Sequence, residues 1–133
     1  MSYETALWPL QQAVFQRLSS DPVLSGMITG VFDSVEEDQA YPYVVIGEPN
    51  QVPFDTKNTF GEEISIVIHV WSNYAGKKEA YNILSACLKA LSYKLDIQDF
   101  ELLKVEKRGM TVFDDINPDI KHGVLRMRYT IKN

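Results

Sequence analysis

Tyr41-Pro-Tyr-Val-Val-Ile-Gly-Glu48, the polar stretch Asn50–Gly61, and Glu63-Ile-Ser-Ile-Val-Ile-His-Val-Trp-Ser72 decide how this chain folds. The first piece is a β-branched run fenced by Pro42 and Pro49, a strand by composition. The third alternates strictly. Ile64, Ile66, Ile68 and Val70 fall on one side, and Ser65, Val67, His69 and Trp71 on the other. A period of two residues puts the first set in the core, and the half-apolar second set implies a partly covered face. Between the two strands lies a connection too long for a hairpin turn, and after them an amphipathic helix predicted from Gly76 to Leu95. Its inward stripe is Ala80, Ile83, Leu84, Cys87, Leu88 and Leu91.

Upstream, Leu7, Leu10, Val14 and Leu18 recur at helical steps, with Pro9 tolerated in or just after the first turn. Trp8 and Phe15 lie off that stripe, which leaves a wider core face or contact with another subunit. Ser20-Asp21-Pro22 starts a second, short helix, with Asp21 as N-cap, Pro22 first in the helix, and Leu24, Met27 and Ile28 facing inward. A short strand is predicted over Val31–Val35, then a solvated turn at Glu36-Glu37-Asp38. Downstream, Leu102–Phe113 and Ile120–Ile131 read as two closing strands, the last with Leu125, Met127, Tyr129 and Ile131 on one face. The expected fold is α+β over residues 1–133 as one domain. A single, mostly antiparallel sheet carries an N-terminal helix and a long helix, in the order α-(α)-β-β-β-α-β-β.

At 133 residues and 45% hydrophobic content the chain suits one globular core. Its charges are uneven along the sequence. Residues 1–75 carry ten acidic and two basic side chains, and residues 76–133 eight acidic and eleven basic. That argues against a general nucleic-acid binder, which needs clustered cations. Either an acidic portion meets a neighbour's basic one, or the two halves interleave and the polarity cancels in space. The N-terminus has no secretion-signal pattern and no apolar run reaches membrane-spanning length, so an intracellular protein with no membrane contact is expected.

No catalytic constellation is legible. Nine serines include none in a strained nucleophile turn, and the seven glycines form no phosphate loop. The lone Cys87 sits among Ile83, Leu84, Leu88 and Leu91, a buried and inert setting. His122 with Asp114, Asp115 and Asp119 is the only cluster dense enough to consider for a metal. Turn chemistry accounts for those acids better. The expectation is no enzyme, no cofactor and no metal.

The Asp21-Pro22-Val-Leu segment leads to Gly30 and Val31-Phe32. Then come Tyr41-Pro42-Tyr43-Val44-Val45, His69-Val70-Trp71-Ser72 with its following helix, and finally His122-Gly123 with Arg126-Met127-Arg128-Tyr129. In this order these pieces resemble the tail-completion (tail-to-head joining) proteins of long-tailed, siphovirus-type phages and prophages. The resemblance implies a structural virion protein that caps the head-proximal end of the tail tube as a hexameric ring. Its partners would be other copies of itself, the major tail tube protein and the head completion or connector protein, with DNA passing the lumen unbound. It would reside at the head–tail interface of the virion, and in host cytoplasm during assembly. A tail-tube terminator without head contact, or a small cytosolic enzyme with an unrecognised site, are the other readings. A head-to-tail ring needs two different patches per subunit. The connection offers one: Asn50, Gln51, Val52, Pro53, Phe54, Asp55, Thr56, Lys57, Asn58 and Phe60, with apolar residues inside a polar loop. We expect this loop to be mobile in the free protein and ordered on assembly.

Overall fold

The structure, a computed structural model, describes residues 3–133. Helix α1 spans Leu7–Ser20 and buries Leu10, Val14 and Leu18; α2 is the single turn Pro22–Ser25. Strands β1 (Val31–Phe32), β2 (Tyr43–Ile46), β3 (Asn50–Pro53) and β4 (Gly61–Ser72) follow. After them come α3 (Lys78–Leu91), β5 (Glu101–Asp114) and β6 (Lys121–Lys132). The sheet order is β1-β2-β4-β6-β5, with β3 paired to the first half of β4. All pairs are antiparallel except β1–β2, which is parallel, so the sheet is mixed.

The alternation in β4 is as expected: every second residue from Glu62 to Ser72 is buried. Ile64, Ile66, Ile68 and Val70 meet Leu125, Met127, Tyr129 and Ile131 of β6 on one face, and α1 and α3 cover that face. Each such side chain contributes about 1.5–3 kcal/mol on leaving water. The charge asymmetry is partly undone by this pairing, because β4 from the acidic half lies against β6 from the basic half. Glu63 and Arg128, diagonal neighbours across the two strands, pair at 3.5 Å.

Three element boundaries differ from expectation. β1 stops at Phe32, since Asp33 and the residues after it are exposed and leave the ladder. Helix α3 ends at Leu91, and Leu95 and Ile97 enter the core from the connection that follows. The predicted loop Asn50–Gly61 contains a strand: Asn50–Pro53 pairs with Glu62–Ser65, closing a β3–β4 hairpin. Pro53 is compatible with pairing because β3 is an edge strand, where a missing N–H faces solvent.

A buried carboxylate fastens α1 to this sheet. Ala6, at the N-cap position of α1, offers no side-chain cap. Glu62, 1% exposed on β4, accepts instead from the Ala6 backbone N–H at 2.6 Å, the Thr5 hydroxyl at 2.8 Å and the Gln51 amide at 3.0 Å. An acceptor at the positive end of a helix satisfies an otherwise orphaned donor and suits the local dipole.

Tyr129 is the opposite case. Its ring is fully buried and, among the described residues, its hydroxyl has no hydrogen-bond partner. Burial pushes the phenol well above its ordinary range. Tyr129→Phe is therefore expected to leave stability unchanged or raise it by about 1 kcal/mol, since it removes a buried, unpaired polar group. Urea denaturation of the two proteins checks this.

Candidate assembly surfaces

The Asn50–Gly61 segment is a built hairpin end. Phe54 donates its N–H to the Gly61 carbonyl at 2.8 Å, and the Asp55 carboxylate accepts from the Gly61 N–H at 3.2 Å. Thr56 and Thr59 close the tip through backbone and hydroxyl bonds. Asn50 through Asn58 are all exposed, Val52 and Phe54 at 44% each, while Phe60 is half-buried beside Tyr3, with ring centroids 4.7 Å apart. The ten sequence-predicted residues thus lie together along one sheet edge. Trp8 and Phe15 are at the surface as well, 61% and 40% exposed, rather than in a widened core.

The sheet face opposite the helices carries a cluster that one-dimensional reading could not assemble. His69 on β4 and His122 on β6 are far apart in sequence, yet His69 Nδ1 lies 2.8 Å from His122 Nε2. His69 Nε2 lies 3.4 Å from the Glu48 carboxylate. A carboxylate only accepts, so in the neutral pair His69 donates from Nε2, and its Nδ1 accepts from the His122 Nε2–H. The His122 ring stacks on Trp71 at 3.8 Å and tilts against Phe113 at 4.8 Å. Gly47 makes room for this group, because a Cβ there would meet the His69 ring at 2.5 Å. The surrounding depression, about 670 Å³, is also lined by Tyr43, Val45, Glu48 and Asp33.

No group of three or more His, Cys, Asp or Glu side chains among the described residues converges as metal ligands would. Asp114 turns to Lys121 at 3.0 Å, and His122 engages His69 and Trp71, so that sequence cluster is not brought to one point. Cys87 is fully buried, and burial, with Asp21 nearby, pushes its thiol up to about 12, which removes the reactive thiolate. No helix among the described residues is long and apolar enough to cross a membrane.

Burial, then the neighbouring His69, lowers the His122 pKa, against weaker opposite pulls from Asp115 and Glu48. The folded state therefore holds the neutral ring more tightly than the unfolded chain does. The sign follows: this stability is complete above the unfolded value of about 6.5, and is lost as pH falls through the lower folded value. Wild type is expected to lose more stability between pH 7 and pH 5 than His122→Gln. Parallel pH-dependent urea curves for the two would contradict the assignment.

The family described as "Tail completion protein gp17" matches residues 12–132. The chain belongs to the tail-completion family. Over 134 aligned residues it is 37% identical to the tail completion protein gp17 of Bacillus phage SPP1, spanning 100% of this chain and 99% of that one. A solved structure of bacteriophage SPP1 gp17 matches with a TM-score of 0.69 at 36% identity, covering 98% of each chain. A chain from the virion of a native gene transfer agent particle matches with a TM-score of 0.87 at 26% identity, covering 93% of this chain and 95% of that one. Of these two solved structures, the less identical is the nearer in shape.

Proposed function

We propose that this protein caps the head-proximal end of a phage tail tube as a hexameric ring of its own copies and joins the tube to the head's connector. The observation that carries this reading is the shape likeness over nearly the whole chain to a component of an assembled virion particle, TM-score 0.87. The surface supports it. Trp8, Phe15, Phe54, Tyr74, Tyr81, Tyr93, Phe113 and Ile116 are all exposed, and aromatic residues of this kind are enriched in the cores of protein interfaces. The role is structural rather than catalytic, and its partners are other copies, the tail tube protein and the head completion protein. DNA passes the lumen without specific binding.

The β3–β4 hairpin, Asn50 to Phe60, serves as one assembly patch. Asn50–Pro53 is paired to β4, and Phe54, Asp55, Thr56 and Thr59 are hydrogen-bonded across the tip, so the patch is presented as a formed hairpin. Electron microscopy of the purified protein mixed with tail tubes tests the reading. Added density as a closed ring at one tube end is expected; bare tube ends at saturating protein would refute it.

A further inference from the structure

A head-to-tail ring requires two different, complementary patches on each subunit, and a projection with a matching recess meets that need. The tip of the β5–β6 hairpin is such a projection. Ile116 is fully exposed there, an unusual place for a large aliphatic side chain. The tip is nevertheless pinned. Asp115 N–H donates to the Ile120 carbonyl at 2.9 Å and Ile120 N–H to the Asn117 carbonyl at 3.0 Å, while Lys121 Nζ reaches the Pro118 carbonyl at 2.7 Å. A side chain held out on a pre-ordered turn loses little entropy on docking.

Two apolar grooves beside α1 are large enough to receive it, and charge separates them. One, about 450 Å³, has Trp8 and Phe15 on its walls and Asp33 among neutral glutamines at its rim. The other, about 400 Å³, lies between α2 and the C-terminal half of α3. It is lined by Val23, Ala86, Ala90 and Tyr93, with Lys89 and Arg17 at its edges. Asp21 is also there, its carboxylate capping α2 by accepting from the Val23 and Leu24 N–H groups, so this groove sets two cations against one anion. Ile116 is flanked by Asp114, Asp115 and Asp119, and among the described residues only Asp114 of these has a cationic partner, Lys121. An acidic tip is repelled by the Asp33 groove and attracted by the Lys89–Arg17 one. Projection and recess also lie towards opposite ends of the molecule. Ser72, next to the hairpin end, is bonded to Glu79 at the start of α3, whereas Lys89 sits in its last turn.

We propose that Ile116 of one copy seats in the groove between α2 and α3 of a second copy, with Asp115 and Asp119 facing that copy's Lys89. This deepens the ring reading and rests on it. The contact repeats heterologously, so each copy both inserts and receives.

Disulfide trapping with two surface variants tests it. Ile116→Cys and Val23→Cys are mixed under mild oxidation, free and bound to tail tubes, with wild type as the background because its Cys87 is buried. A linked dimer that needs both variants is expected. Asp115→Lys should abolish ring density on tubes, and combining it with Lys89→Glu should restore it. Wild-type rings on tubes without the mixed disulfide, or a disulfide to Phe15→Cys instead, would overturn this docking while leaving the ring intact. Wild type that never forms rings on tubes would overturn both.

Discussion

Glu62→Ala is expected to cost about 3 kcal/mol of stability, read as a shift of the urea midpoint, although no apolar contact of note is removed. The substitution strands three donors at once: the Ala6 N–H, the Thr5 hydroxyl and the Gln51 amide. The first is buried at the start of α1, where the helix has no cap of its own. Glu62→Gln keeps the shape and one acceptor oxygen but turns an amide N–H₂ toward a donor, so it should fall between wild type and alanine. Thr5→Ala removes one donor and leaves the carboxylate two others, a loss of about 1 kcal/mol. An unchanged midpoint for Glu62→Ala would mean that α1 is held by its apolar stripe alone.

Phe54→Ala is expected to do the reverse: a fold as stable as wild type, with tail–head joining strongly impaired. Phe54 is 44% exposed, and its structural work is done by backbone groups, its N–H meeting the Gly61 carbonyl at 2.8 Å. Alanine keeps that bond, so the β3–β4 hairpin persists while its apolar end is lost. Truncating an aromatic anchor at a protein interface commonly costs about 2 kcal/mol or more of binding. In a ring the same loss recurs at every repeat of the contact. Infectious yield from phage carrying the variant measures the effect; normal yield with normal particles would remove Phe54 from the interface.

The sheet and its two main helices were legible because their signals are local and periodic. Ile64 to Val70 alternate without a break, and Ala80 to Leu91 repeat at helical steps. β3 was not legible. Asn50 and Gln51 are polar, Pro49 and Pro53 bracket the strand, and all four of its residues are exposed, so nothing in composition separates this edge strand from a loop. The parallel β1–β2 pair was hidden for a similar reason, two residues being too few to carry a period. The surface clusters depend on register. His69 meets His122 because Trp71 pairs with His122 across β4 and β6, a fact set by the fold rather than by spacing. Glu62 stands next to Glu63 in sequence with nothing to set it apart, and only the docking of α1 makes it a buried acceptor. Of the assembly surface, the apolar residues within the Asn50–Phe60 segment were visible as an anomaly. Ile116 stands within the acidic turn Asp114–Asp119, where no local period marks it.

The most direct measurement is made on particles assembled without this protein. In a lysate where its gene is disabled, electron microscopy should find filled heads beside finished, unattached tails, and adding the purified protein should restore infectious particles. Tails of uncontrolled length with heads still attached would instead assign it to length termination alone. Intact, infectious particles would contradict the account altogether.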